Sequence, residues 1–252
     1  MDIETRQLQQ LLSEAGQQPE VLLLKPVTES TNDDVREIAL KGVQSVLVCS
    51  TRQTQGRGQR QRHWVSPEGN IYLSTVVNTR IALDGRLALE TALNILQMPG
   101  LQNLDIQVKW PNDLYSPLGK WGGILIEPIN STQAVIGVGI NLAPVPKEQI
   151  DQHVTSLAEL GLQHISRIQL IAELYLAIQQ AGEWFSHNSA NLAQRFNHHA
   201  AFMDRTVTFT QNSEITTGTF KGIQNDGAVL IETVNGTVSY YQGSLKLSGH
   251  AE

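Results

Sequence analysis

The sequence predicts an α/β (α+β) fold in which helices flank a sheet, followed by a small barrel of short strands. Up to about residue 203, stretches of helical periodicity intermix with short aliphatic strands. After Asp204 only short strands remain, separated by polar turns that are typical of hairpins. These turns are Asn212-Ser213, Asn225-Asp226-Gly227 and Asn235-Gly236. We therefore divide the chain into residues 1–203 and residues 204–252.

The elements of the first part follow from their end signals and their periodicity. Gly16 and Gly42 each mark the end of a helix. Ser30, with Asp33 three residues later, is typical of a capping box that opens the second helix. The predicted order is helix 1–15, strand 21–27, a helix ending near Lys41, strands 43–50 and 71–77, helix 84–98, a meander of strands 106–110, 122–128 and 134–141, and helices 166–185 and 191–200.

The composition indicates a globular, cytoplasmic protein. The 252 residues are 40% apolar, which is enough for one full core and a small appended domain. Lys25-Pro26 ends the apolar run that starts at Val21, and the N-terminus lacks a signal pattern, so no membrane contact is expected. Cys49, the single cysteine, lies in an aliphatic run and is predicted to be a buried small side chain.

The segment from Gly56 to Trp64 concentrates positive charge in an acidic chain. The formal net charge is −6, yet the window from Gly42 to Pro67 lacks Asp and Glu. Its arginines are Arg52, Arg57, Arg60 and Arg62. Glycines let a backbone approach a ligand closely, and guanidinium groups match phosphate or carboxylate oxygens. The segment predicts an anion-binding loop, with a solvated surface loop as the alternative.

Two strands predict the floor of a ligand site. In strand 106–110 the apolar residues face one way and Lys109 faces the other. In strand 134–141 the even positions are aliphatic, while the odd face contains glycine, which marks close approach of a ligand or another backbone. The glycines concerned are Gly137 and Gly139, and the pair Gly122-Gly123 repeats the feature.

Together these segments resemble biotin protein ligases. The similarity follows the family's order over roughly residues 28–143 and continues in the C-terminal barrel. The segments that carry it are Ser30-Thr31-Asn32, Gly56-Arg57-Gly58 with Arg60, Arg62 and Trp64, Lys109-Trp110-Pro111-Asn112-Asp113, Gly122-Gly123-Ile124-Leu125 and Gly137-Val138-Gly139-Ile140-Asn141. The resemblance implies a class II synthetase-like domain with a mixed, largely antiparallel sheet, and an SH3-like β-barrel.

The resemblance also implies an activity. ATP, with Mg²⁺, would activate biotin as biotinyl-5'-AMP, and the biotinyl group would pass to a lysine of the biotin carboxyl carrier protein of acetyl-CoA carboxylase. No protein-held metal is expected: His198 and His199 are adjacent and cannot share a helix face, and the sequence has no His-x-x-x-His or Cys-x-x-Cys pattern. Any metal would therefore arrive with the nucleotide.

The family's roles map onto matching positions of this chain. Lys109 and Arg57 would be the catalytic cations, with Lys109 bridging the biotin carboxylate and the α-phosphate. The biotin site would comprise Ser30, Thr31, Asn32, Gln53, Arg57, Gly58, Gln59, Lys109, Gly122 and Gly123. The ATP and adenylate site would comprise Arg57, Arg60, Arg62, Trp64, Lys109, Asn112, Gly137, Gly139 and Asn141. A helix cap is the alternative for Ser30-Thr31, and a core or lid anchor is the alternative for Trp64.

The chain departs from the family pattern in its loop and at its N-terminus. Gln59 and Gln61 stand where related loops commonly have Arg and Gly, which puts retention of the adenylate in doubt. About one helix precedes the Val21 strand, so we expect no DNA partner and no repressor role. The alternatives are a lipoate-protein ligase and a noncatalytic biotin-binding regulator. The sequence leaves open whether the protein is a monomer or a homodimer.

Overall fold

The computed structural model of the chain describes residues 2–146, 152–163 and 165–249. Met1, the first residue of the predicted N-terminal helix, lies outside these ranges. The helices are α1 (Ile3–Glu14), α2 (Thr31–Leu40), α3 (Arg86–Leu96), α4 (Arg167–Ser186) and α5 (Leu192–His199). The strands are β1 (Val21–Lys25), β2 (Val46–Ser50), β3 (Ile71–Asn78), β4 (Gln107–Lys109), β5 (Asp113–Ser116), β6 (Gly119–Pro128), β7 (Gln133–Ile140), β8 (Thr206–Gln211), β9 (Glu214–Ile223), β10 (Val229–Thr233), β11 (Gly236–Tyr240) and β12 (Ser244–Leu247).

The first seven strands form one mixed sheet in the order β1-β2-β3-β7-β6-β5-β4. Strands β1 and β2 are parallel, and the other neighbours are antiparallel. Helix α2 packs against β2, β3 and β7, whereas α3 and α4 pack against each other and contact β6 and β3. The predicted mixed, largely antiparallel sheet flanked by helices is therefore confirmed.

Strand β7 shows how the sequence pattern separates the two faces of the sheet. Ile136 and Val138 join the main core, which contains α3 and α4. Val135 instead joins a smaller core with Val35 of α2. Because successive side chains of a strand point to opposite faces, the intervening Gly137 faces the α2 side. Gly137 therefore lies beside the N-terminus of α2, where the site described below begins.

The predicted three-stranded meander was incomplete, because the structure adds β5. Strand β4 pairs with β5 across the turn at Trp110 to Asn112, and β5 then pairs with β6. The turn residues were correctly predicted to end β4. The four residues that follow form too short an apolar-polar alternation to stand out from the turn, although Leu114 and Ser116 are both buried.

The capping box predicted at the start of α2 was also wrong in its contacts. Ser30 does occupy the N-cap position, but its hydroxyl caps no backbone N–H. Its Oγ instead accepts a hydrogen bond from Arg57 Nη1, at 3.1 Å. A long-range partner has therefore taken the oxygen that would otherwise bind the first turn of the helix.

The remaining strands form a five-stranded antiparallel sheet in the order β11-β10-β9-β8-β12, which we call the C-terminal sheet. Its hairpins lie at the predicted turns. The buried Trp110 joins it to the main sheet, because its indole Nε1 donates to the Gly227 carbonyl at 3.1 Å and its ring lies 5.9 Å from that of Phe209. Among the described helices, none combines the length and the apolarity needed to cross a bilayer.

Candidate active site

A cleft of about 650 Å³ lies on the α2 side of the main sheet. It is lined by the N-terminus of α2, the loop from Gln53 to Val65, the β4–β5 turn, strands β6 and β7, and residues 243–246 at the start of β12. The lining includes the predicted residues Ser30, Thr31, Asn32, Gln53, Arg57, Gly58, Gln59, Arg60, Arg62, Trp64, Lys109, Asn112, Gly123, Gly137, Gly139 and Asn141. Gly122 alone of the predicted residues is not part of it.

Gly122 faces away from the cleft. A Cβ at this position would lie 2.8 Å from the Gly139 carbonyl oxygen and 2.9 Å from the Leu114 side chain. The glycine therefore allows β6 to approach its neighbouring strands closely. A glycine within a strand can mark close approach of another backbone as well as of a ligand.

The N-terminus of α2 forms a buried polar cluster at one end of the cleft. The Ser74 hydroxyl lies 2.7 Å from Thr31 Oγ1 and 2.6 Å from Asn32 Oδ1. Gln53 Oε1 accepts from the Thr31 backbone N–H at 2.9 Å. Because these hydroxyl and amide groups hold one another in place, they offer fixed donors and acceptors to a polar, uncharged ligand.

The glycines of β7 make room for side chains of the cleft. A Cβ at Gly137 would overlap Oδ1 of Asn32. A Cβ at Gly139 would lie 2.7 Å from ring atoms of Trp64, and one at Gly123 would lie 3.1 Å from the same ring. The predicted close approach is therefore present, but in this structure the approaching groups are Asn32 and Trp64.

The Trp64 ring lines the cleft and lies over Gly123 and Gly139 of the sheet. Its indole Nε1 is buried and has no hydrogen-bond partner among the described residues. Lys120 Nζ lies 5.1 Å from the ring centroid, within the range of a cation–π contact. The flat ring, and not the buried N–H, suits Trp64 to contact a planar ligand group.

Two lysines converge on one carboxylate at the edge of the cleft. Lys120 Nζ lies 2.6 Å from Oδ1 of Asp113, and Lys109 Nζ lies 3.6 Å from its Oδ2. The lysine side chains are each 11% exposed and the Asp113 side chain is 14% exposed. The ammonium groups are therefore fixed in a largely dry setting, where they interact strongly with an anion.

Lys120 is a site residue that the sequence motifs did not indicate, and Asp113 was indicated only as part of the motif from Lys109 to Asp113. The signal was available for Lys120, because a lysine stands two residues before Gly122-Gly123 on a strand that borders the cleft. The link was hidden because the pairing of β5 with β6 is irregular between Leu114 and Tyr115, so simple alternation does not give the direction of Lys120.

Arg57 contacts carboxylates from two other elements. Its guanidinium lies 2.6 Å from Oδ1 of Asp33 and 3.0 Å from Oε2 of Glu127. The hydrogen bonds from Arg57 hold the pKa of Asp33 below its ordinary value, even though burial acts in the opposite direction. The same contact with Asp33 raises the pKa of Arg57. The charge of this guanidinium is therefore balanced within the protein.

Asn112 and Asn141 use their side-chain amides to fix the walls of the cleft. Asn112 Nδ2 donates to the Ile124 carbonyl at 2.7 Å, and Asn141 Nδ2 donates to the Thr155 carbonyl at 3.0 Å. Both residues line the cleft, but these amide groups bind main-chain atoms of the walls. A ligand would therefore contact atoms of Asn112 and Asn141 other than these Nδ2 groups.

The described residues offer no cluster of three or more His, Cys, Asp or Glu side chains that could hold a metal ion. Cys49 is 1% exposed, as predicted for a small core side chain. Burial raises the pKa of its thiol to about 11. The thiolate is therefore disfavoured near neutral pH, and Cys49 is not a nucleophile of this site.

Comparison with known proteins gives consistent matches. Residues 24–141 match the biotin/lipoate A/B protein ligase family, and residues 202–244 match the biotin protein ligase C-terminal domain. The bifunctional ligase/repressor BirA of Salmonella typhimurium is 32% identical over 230 residues, which cover 86% of this chain and 71% of that protein. The biotin--[acetyl-CoA-carboxylase] ligase of Mycobacterium tuberculosis is 31% identical over 182 residues, 68% of each chain.

Solved structures show the same fold. The biotin protein ligase of Aquifex aeolicus, solved in complex with biotin and ATP, has a TM-score of 0.77 at 24% identity, covering 90% of this chain and 98% of that one. A Leishmania major ligase solved with biotinyl-5-AMP has a TM-score of 0.59 at 20% identity, covering 89% of this chain and all of that one, 100%.

Proposed function

The chain belongs to the biotin protein ligases of the biotin/lipoate A/B protein ligase family, and we propose that its cleft activates biotin with ATP and passes it to a carrier-protein lysine. The resemblance seen in the sequence is thus confirmed at the level of family and fold. The observation that carries the mechanism is the pair of buried ammonium groups, Lys109 and Lys120, that share Asp113 at the edge of the cleft.

The first step needs positive charge at the α-phosphate. An oxygen of the biotin carboxylate attacks the α-phosphorus of ATP, the bond to the β-phosphate oxygen breaks, and pyrophosphate leaves with the bonding electron pair. Negative charge increases on the α-phosphate oxygens as the bond forms. Lys109 and Lys120 supply fixed cations for this charge, and a preorganised group of this kind typically contributes on the order of 3 kcal/mol to the transition state.

The second step transfers the acyl group. The acceptor lysine amine attacks the carbonyl carbon of the mixed anhydride, its bond to the phosphate oxygen breaks, and AMP leaves as the amine loses a proton. We propose the biotin carboxyl carrier protein of acetyl-CoA carboxylase as the acceptor. The names of the relatives from Mycobacterium tuberculosis and Paracoccus denitrificans support this choice.

We assign the two ends of the cleft by chemistry. The polar cluster of Thr31, Asn32 and Gln53 suits the ureido head of biotin, which needs both donors and acceptors. Trp64, Arg60 and Arg62 would serve the nucleotide end, where a ring can stack and guanidinium groups can bind phosphate. Gly122 does not line the cleft, so we propose no contact of this residue with biotin.

Further expectations from the sequence form part of the proposal. Mg²⁺ would arrive on the nucleotide and neutralise phosphate charge. We propose a division between residues 1–203 and 204–252, supported by the start of the C-terminal sheet at Thr206.

A cytoplasmic location and the lack of a DNA partner stay predictions. The choice between monomer and homodimer stays open.

The test is a reaction with defined components. The protein is incubated with ATP, Mg²⁺ and a carrier domain, with either biotin or lipoate, and both AMP and the modified lysine are measured. A carrier whose acceptor lysine is replaced by arginine is the control. We expect AMP release and carrier modification with biotin. Modification only with lipoate would favour a lipoate-protein ligase, and biotin binding without AMP release would favour a noncatalytic regulator.

A further inference from the structure

The Arg57 guanidinium has no N–H group left for a ligand. A guanidinium carries five N–H donors. Nε donates to Oε1 of Glu127 at 3.2 Å, and Nη2 donates to both carboxylates, at 2.6 Å to Asp33 Oδ1 and 3.0 Å to Glu127 Oε2. Nη1 donates to Ser30 Oγ at 3.1 Å and to Asp33 Oδ2 at 2.8 Å. Each donor direction thus ends on an oxygen of the protein.

These contacts join three separate elements of the fold. Arg57 belongs to the loop from Gln53 to Val65, which we call the glycine loop, Asp33 belongs to the first turn of α2, and Glu127 belongs to β6. Glu127 also accepts from Asn32 Nδ2 at 2.7 Å, so the same carboxylate orients a side chain of the polar cluster. The side chains of Arg57 and Glu127 are each 21% exposed, so solvent screens this pair only in part.

The electrostatic balance argues against a direct role for Arg57 in binding an anionic ligand. Two carboxylates neutralise one guanidinium, so the group as a whole carries negative charge and repels phosphate. To reach a phosphate, Arg57 would have to break hydrogen bonds and leave Glu127 partly buried without its cation, which is costly. The contacts of Asp113 form the opposite arrangement, in which one carboxylate meets two ammonium groups.

We propose that Arg57, Asp33 and Glu127 form a positioning clamp that holds the glycine loop and Asn32 in place at the biotin end of the cleft. Arg57 is thus a positioning residue, in contrast to the catalytic cation that the resemblance implies. The clamp rests on the proposed function, because it assigns the biotin end of the same cleft. It acts on substrate affinity, since the lysines proposed to stabilise the reacting phosphate, Lys109 and Lys120, contact Asp113 and take no part in the clamp.

A first experiment measures the loop without any substrate. Within the glycine loop, the Gly58 N–H donates to the Arg62 carbonyl at 2.8 Å and the Trp64 N–H donates to the Gly56 carbonyl at 2.9 Å. Hydrogen exchange of residues 56–65 is compared in the wild type, Asp33→Asn, Glu127→Gln and Arg57→Gln. We expect faster exchange in all three variants. Exchange unchanged from the wild type in Asp33→Asn and Glu127→Gln would overturn the clamp even if the protein proved to have another activity.

The matched control is Asp34→Asn. Asp34 lies in the same first turn of α2, and it pairs with Lys25 at 2.9 Å, outside the clamp. Asp33→Asn and Asp34→Asn each remove one negative charge from the N-terminus of the helix, so they share any effect on the helix dipole. Loop exchange is expected to rise in Asp33→Asn and to remain at the wild-type rate in Asp34→Asn. Equal increases in both variants would trace the effect to the helix and overturn the clamp.

A second experiment separates positioning from catalysis in adenylate formation. We expect Glu127→Gln to raise KM for biotin roughly ten- to a hundredfold, the loss expected for one hydrogen bond to a charged group. Asp33→Asn should raise it less, because the Asp33 side chain is 57% exposed and solvent screens its pair with Arg57. The value of kcat and the KM for ATP should stay within about threefold of wild type. Arg57→Gln should behave in the same way. A kcat reduced a hundredfold in Arg57→Gln and unchanged in Asp33→Asn and Glu127→Gln would show a catalytic cation and overturn the proposal.

Discussion

Asp113 lies between Lys120 and Lys109, with its Oδ1 2.6 Å from the Nζ of Lys120 and its Oδ2 3.6 Å from the Nζ of Lys109. Two neighbouring ammonium groups repel each other, and the carboxylate that both contact offsets this repulsion. Among the described residues, this site sets two ammonium groups against one carboxylate. The Arg57 clamp has the opposite ratio, with two carboxylates against one guanidinium.

The first prediction concerns Lys120, which the sequence motifs did not single out. We expect Lys120→Met to slow pyrophosphate release roughly a hundred- to a thousandfold, because one preorganised cation is lost from the transition state. Methionine keeps the apolar stem that packs near Trp64. Lys41→Met is the control, since Lys41 forms a solvent-exposed pair with Glu37. Release within tenfold of the wild-type rate would contradict a role for Lys120 in activation.

Local pattern was enough to predict the direction of Lys109 and the division of β7 into two faces. Alternation within one strand depends only on backbone geometry, so it can be predicted from sequence. The β6 irregularity hid Lys120, and the Arg57 clamp joins residues that are 24 and 70 positions apart in the chain. Contacts of that separation depend on how the elements pack, which no local pattern contains.

The second prediction concerns Gly137, which makes room for Asn32. We expect Gly137→Ala to weaken biotin binding at least tenfold, because the added Cβ overlaps Oδ1 of Asn32 and displaces its bond from Ser74. Gly85→Ala is the control: its φ is −62°, and nothing lies within 4 Å of an added Cβ. Calorimetric titration with biotin checks both variants. Wild-type affinity in Gly137→Ala would mean that Asn32 is not part of the biotin site.

The third prediction concerns the attachment of the C-terminal sheet. Trp110→Phe removes the indole that donates to the Gly227 carbonyl, leaving a buried acceptor unpaired. We expect the free energy of unfolding to fall by about 1–3 kcal/mol. The control is Tyr241→Phe, which removes one hydrogen bond to Asp226. Because Tyr241 is 63% exposed, loss of this hydrogen bond should leave the urea midpoint unchanged. Equal midpoints for Trp110→Phe and wild type would argue that this contact adds no stability.

The last prediction follows from the buried thiol of Cys49. Burial raises its pKa from 9.0 to about 11, so at pH below 9 the thiol is protonated in both the folded and the unfolded chain and has no effect on stability. Between pH 9 and pH 11 the unfolded chain loses this proton while the folded chain keeps it. The free energy of unfolding therefore falls by at most about 1.4 kcal/mol per pH unit from this group. Tyr175, whose pKa burial raises to about 12, acts in the same direction at higher pH.

Urea midpoints of wild type and Cys49→Ala, measured from pH 7.5 to pH 10.5, isolate the thiol, because both proteins retain Tyr175. The wild type should lose stability more steeply above pH 9, and parallel curves would show that the thiol titrates alike in both states.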